Sequence, residues 1–187
     1  VRLFVAITLS EAVRRVLADA QVPLRAAAPG ERWVSPDKLH VTVRFLGEVD
    51  ATAVPPLVAA LEAAARQSDP IPVEVRGIGA FPTWRRARVV WAGVTPDPKL
   101  ELLHHDVETG FTALGYEVEG RPFRPHVTLA RLRAPGGTTA RAIAEAARGV
   151  KVRAPMIVEG LDLMQSHRGA GGTRYESLAT IALGRRR

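Results

Sequence analysis

Two short segments carry the residue types that could do chemistry, Leu39-His40-Val41-Thr42-Val43 and Pro125-His126-Val127-Thr128-Leu129. An imidazole gives or takes a proton near neutral pH, and a hydroxyl donates to a phosphoryl oxygen. In an extended strand residues i and i+2 share a face, so each segment presents an imidazole and a hydroxyl side by side. Val41, Val43, Val127 and Leu129 would anchor the strands to a core. Two such strands facing across a cleft surround one phosphoryl group with two imidazoles and two hydroxyls. A neutral His then takes a proton from attacking water while a protonated His supplies one to the leaving oxygen. Imidazolium and the hydroxyls offset charge on the phosphoryl oxygens, so this chemistry asks for no metal and no cofactor. Either motif alone reads as incidental, because a lone exposed histidine on a strand usually is. The paired occurrence, with the same valine in the middle, turns the balance.

Something must position these strands, and the hydrophobic pattern says what. Residues 2–8 read as a buried strand. Ser10 caps a helix that begins at Glu11, weakens near Pro23 and ends before Pro29-Gly30. Residues 39–46 have a clean period of two, with Leu39, Val41, Val43 and Phe45 on one face and His40, Thr42 and Arg44 on the other. A second helix starts near Pro55-Pro56 and runs through Ala65. Strands over 71–80 and 86–94 follow, joined through Phe81-Pro82-Thr83-Trp84-Arg85. A helix runs from Asp97-Pro98 to Gly115, a strand covers 127–132, and a short helix spans 139–148. Strands over 156–165 and 175–183 close the chain around Gly169–Gly172. The strand–helix–His-Val-Thr order of the first half recurs weakly in the second. No linker rich in Ser, Gly or Pro divides the chain. We therefore expect one α+β domain over 1–187 with two pseudo-symmetric lobes, each an antiparallel sheet flanked by helices, and an active-site cleft between them.

Composition narrows the partners. Lys and Arg exceed Asp and Glu by 26 − 19 = +7, and the pI is near 10.9. That charge favours polyanions such as RNA, although an arginine-rich genome would leave the same excess. The closing Arg185-Arg186-Arg187 reads as a frayed end with loose attraction for phosphate. There is no cysteine, which excludes disulfides, thiolate chemistry and Cys-ligated metal sites. No apolar run approaches the ~20 residues of a membrane span. Val1 to Ile7 resembles a small signal peptide but is too short and is followed by charge, so a core strand in a cytoplasmic protein is the expectation.

The two segments extend into longer motifs, His40-Val41-Thr42-Val43-Arg44-Phe45-Leu46-Gly47 and Pro125-His126-Val127-Thr128-Leu129-Ala130-Arg131. With Leu3-Phe4-Val5-Ala6-Ile7, Trp33-Val34 and Tyr175, they resemble the 2H phosphoesterases over nearly the whole chain. The likeness is to the RNA 2′,3′-cyclic phosphodiesterases, also called 2′-5′ RNA ligases, whose motifs read HxTLxFLG and PHxTLAR. Val43 replaces the usual Leu. The resemblance implies that His40 is the proton donor to the leaving 3′-oxygen and His126 the proton acceptor from water, giving a 2′-phosphate. It matches Thr42 and Thr128 to hydroxyls that hold the phosphate. It implies RNA with 2′,3′-cyclic phosphate ends as substrate, 2′-5′ joining as a side activity, and no obligate protein partner. Arg131 matches the second motif's arginine, yet it falls on the far face of an unbroken strand from His126. Phosphate contact there needs a twist or bulge, and an anchoring role stays open beside it.

Other residues are weaker candidates. His104 and His105 diverge by about 100° on a helix, so they do not chelate one metal together, and no carboxylate–histidine cluster is apparent. His167 reads as incidentally exposed. Trp84-Arg85-Arg86 pairs a stacking surface with cations, and Trp33, Phe81 and Tyr175 are similar candidates for bases. Two rival functions remain: a phosphodiesterase for small cyclic nucleotide or ADP-ribose phosphates, and a basic RNA-binding module without catalysis.

Overall fold

Alternating apolar residues make the strands, and in a computed structural model describing residues 1–184 they join into one antiparallel sheet. The elements run β1 (Arg2–Thr8), α1 (Glu11–Ala27), β2 (Arg32–Trp33), β3 (His40–Glu48) and α2 (Val54–Arg66). There follow β4 (Ile71–Phe81), β5 (Val89–Val94), α3 (Pro98–Ala113), β6 (His126–Arg131) and α4 (Gly137–Arg148). The chain closes with β7 (Arg153–Val158), β8 (Gly160–Gly169) and β9 (Gly172–Ala182). Arg185-Arg186-Arg187 lies outside the described residues.

The sheet order is β7-β4-β5-β6-β3-β1-β8-β9, with short β2 also paired to β6. Read outward from the β6–β3 junction, each half has four strands, β6-β5-β4-β7 and β3-β1-β8-β9. The two expected sheets are thus joined edge to edge. Helix α1 packs on α4 and reaches β7, while α2 packs on α3 and lies over β8 and β9. Apolar side chains between helices and sheet, among them Leu17, Leu57, Leu61, Leu103, Phe111 and Leu129, have essentially no exposed surface. No helix among the described residues is long and apolar enough to cross a membrane.

Three departures from the sequence reading have physical causes. Helix α1 runs through Pro23 to Ala27, because Pro23 faces outward and the carbonyl it leaves unpaired meets water. The strand expected over 156–165 is two strands in opposite halves. Met156 to Val158 pair with Ile71 to Val73, whereas Gly160 onward pairs with β9, and only Glu159 intervenes. One residue spans a few ångströms, so the sheet curls until strands from its two ends nearly meet. Finally, the strand expected from 86 starts at Val89, because Trp84–Arg86 form a 3₁₀ turn.

Candidate active site

β3 and β6 meet at one residue pair, Val41 with Val127, and both valines are buried. Antiparallel pairing there sets His40 across from Thr128 and Thr42 across from His126, all four on the face opposite the valines. The imidazoles occupy a diagonal, which separates such residues by about 7–8 Å along the backbone. The sequence-predicted His40, Thr42, His126 and Thr128 are therefore brought together, each partly exposed.

Both rings are held alike. Nδ1 of His40 lies 2.8 Å from the Lys38 carbonyl oxygen, and Nδ1 of His126 lies 2.7 Å from that of Arg124. A carbonyl only accepts, so each Nδ1 carries hydrogen and each Nε2 is the atom left to exchange a proton. Nε2 of His40 is 3.0 Å from the Thr42 hydroxyl. The rings are less open than a solvent-facing strand suggests. His40 sits against Phe4 and edge-on to Tyr175, at centroid distances of 5.1 and 5.4 Å. His126 meets Phe81 edge-on at 4.9 Å. Burial accordingly pushes both imidazoles below the ordinary 6.5, and the carbonyl contacts only partly offset it. The Arg131 guanidinium lowers both further, and His40 also feels His126 and Arg14.

Arg131 acts on both rings because β6 is bulged. Val90 pairs with Ala130 and Trp91 with Thr128, so Leu129 is passed over. Leu129 and Ala130 are both buried, and Arg131 emerges exposed on the face of His126 and Thr128. The unbroken strand assumed from sequence does not exist. β3 has the same irregularity at the same offset: Val5 pairs with Arg44 and Ala6 with Thr42, so Val43 is passed over. The expected faces of its last residues are thus exchanged. Arg44, expected beside Thr42, is 7% exposed, while Phe45, expected in the core, is 52% exposed.

The β6 bulge has a holder that the sequence reading missed. Gln21, 3% exposed on α1, donates from Nε2 to the carbonyls of Val34 at 2.8 Å and Leu129 at 3.1 Å. Its signal was present: a polar residue on the apolar stripe formed by Val13, Leu17, Ala20 and Leu24.

With this geometry in place, comparison with known proteins is informative. Residues 9–170 match the family model described as the 2′-5′ RNA ligase superfamily. The chain belongs to that superfamily. Among its superfamily relatives, a protein of Geobacillus stearothermophilus named RNA 2′,3′-cyclic phosphodiesterase is 31% identical over 128 residues. Those residues are 68% of this chain and 41% of that one. A relative of the same name from Methanothermobacter thermautotrophicus is 31% identical over 135 residues, 72% of this chain and 73% of its own length. The crystal structure of TT0787 of Thermus thermophilus covers 100% of both chains with a TM-score of 0.84 and 31% identity.

The remaining candidates of this superfamily chain divide clearly. Contrary to the sequence reading, the fold does assemble a carboxylate–histidine group, with ligand atoms of His104, Glu108 and Glu119 within 4.8 Å of one another. Sequence spacing could not show it, since Glu119 lies beyond the end of α3. A cation is already there: Nε of Arg44 lies 2.7 Å from Glu108, although its N–H is not aimed for a hydrogen bond. His167 pairs with Glu176 at 2.8 Å. Trp33 and Trp84 pack partly against the core.

Proposed function

We propose that the chain hydrolyses RNA 2′,3′-cyclic phosphate ends to 2′-phosphomonoesters without a metal, as one bilobal unit. The observation that carries this is the β3–β6 pairing, with two imidazoles on a diagonal and each Nδ1 committed to a backbone carbonyl. His126 Nε2 takes the proton of attacking water, the water oxygen bonds to phosphorus, and the bond to the 3′-oxygen breaks. His40 Nε2 delivers its proton to that oxygen. The roles follow the family motifs. Thr42 and Thr128 donate to the phosphoryl oxygens, and Arg131, turned inward by the bulge, offsets their charge. The relatives' names support the substrate, and the reverse reaction would join RNA through 2′-5′ linkages.

The test is one assay of purified protein with a 2′,3′-cyclic-phosphate oligonucleotide in excess chelator. A 2′-phosphate product formed at an undiminished rate is expected. Activity lost to chelator and restored by one divalent ion would replace this mechanism with metal-assisted hydrolysis. Turnover of cyclic mononucleotides but not oligomers would move the substrate to small cyclic phosphates.

A further inference from the structure

The surroundings of the two imidazoles are unlike. Beside His40 lies a recess of about 180 Å³ whose lining includes Arg14, Lys38 and Arg174 against one carboxylate, Asp37. Beside His126 lies a larger cavity of about 310 Å³, in the range of small-ligand sites, walled by Phe81, Trp91, Leu100, Phe123 and Pro125. Its charges are one cation, Arg124, and two carboxylates, Asp97 and Glu101. The first suits a phosphate chain. The second suits a flat, uncharged group.

The aromatic surfaces of this second cavity are fixed in place. The Trp91 indole lies over Gly79 and Gly93, where an added β-carbon would run into its ring atoms. Phe81 packs against Trp91 at 5.1 Å and also touches His126. Phe123 lies parallel to His104, with centroids 4.2 Å apart and 2° between planes. Preset aromatic planes are what stacking of a base requires, since every base offers a π-face.

We propose that this cavity holds the nucleobase of an attacking nucleoside, a second RNA end whose 5′-hydroxyl takes the place of water. The inference rests on the function proposed above. His126 accepts the nucleophile's proton, so the attacking oxygen arrives from its side, while the leaving 3′-oxygen and its ribose lie toward His40. In the joining step the 5′-oxygen bonds to phosphorus and its proton passes to His126 Nε2. The bond to the 3′-oxygen breaks, and that oxygen takes a proton from His40 Nε2. The product is a 2′,5′-phosphodiester with a free 3′-hydroxyl, and nothing else is consumed. A stacked base raises the local concentration of the 5′-hydroxyl against water.

The experiment measures the ratio of transfer to hydrolysis for a cyclic-ended oligonucleotide with adenosine or glycerol as acceptor at equal concentration. Adenosine should be the better acceptor by about tenfold or more, the scale of one stacked base. Phe123→Ala should lower the adenosine ratio by a similar factor with hydrolysis unchanged, and Phe123→Tyr should restore it. Equal use of both acceptors, no transfer to either, or a ratio indifferent to Phe123→Ala overturns the subsite and leaves the hydrolase reading standing. If Phe123→Ala disturbs folding, seen as lost hydrolysis, the adenosine–glycerol comparison in the unaltered protein decides. A protein that does not hydrolyse the cyclic end at all overturns both.

Discussion

His40 and His126 share one anchoring scheme, and their surroundings push them the same way, which has a consequence for the pH dependence. A base must be unprotonated and an acid protonated, and both imidazoles lie below 6.5 in the free protein. The rising limb of kcat/KM, reporting the base, and the falling limb, reporting the acid, should therefore both lie on the acid side of 6.5. An anionic phosphate between the rings favours imidazolium, so the falling limb of kcat should sit at higher pH than that of kcat/KM. Arg131→Gln removes a cation that lowers both rings, and its limbs should move back toward 6.5. Single-turnover profiles check this, and a flat profile from about pH 5 to 9 would argue against the pair. Replacing either histidine with Gln should lower turnover by ~10²–10⁴. Gln is the better probe than Ala, because Ala at His40 would also open a gap against Phe4 and Tyr175.

Among the elements, the bulges in β3 and β6 decide which side chains reach the site. Gln21 braces one of them. Gln21→Leu should cost about 1–3 kcal/mol of stability, since the Val34 carbonyl loses a buried partner. If Gln21 acts through Arg131, kcat/KM should also fall about as far as in Arg131→Gln, and the double variant should add little. Lost stability with unchanged kcat/KM would leave Gln21 a packing residue only. The bulges also mark where sequence reading stops. Period-two patterning locates both His-Val-Thr strands and puts each imidazole on the same face as its hydroxyl, because residue type follows burial up to Val43 and Leu129. A bulge inserts one residue without changing composition, so every side chain beyond it changes face unannounced. The pattern misplaces Arg44, Phe45 and Arg131 for that single reason. The β7–β8 boundary is hidden differently: Met156 to Gln165 is an apolar run, and nothing in it says that Glu159 divides two pairings.

Across the whole molecule, the buried Arg44–Glu108 pair fastens β3 of one half to α3, which joins strands of the other. Removing one partner, as in Glu108→Leu, should cost about 3–5 kcal/mol by leaving a buried charge alone, while Arg44→Met with Glu108→Leu should be close to neutral. Denaturation midpoints with unchanged slopes would check it. The halves are unequal in another respect. Strands β4 to β7 occupy one continuous stretch, Ile71 to Val158, whereas β1 and β3 must await β8 and β9 from the far end of the chain. Chains made from the N-terminus ordinarily complete their first portion first. Here the ribosome would release the two outer partners of β1 last, and Tyr175, which closes over His40, is among the final residues. Pulse-labelled hydrogen exchange on ribosome-bound chains should find β4 to β7 protected before β1. The histidine that emerges first is then the one whose surroundings are completed last, so a truncated chain would carry both motifs and still lack a finished proton donor.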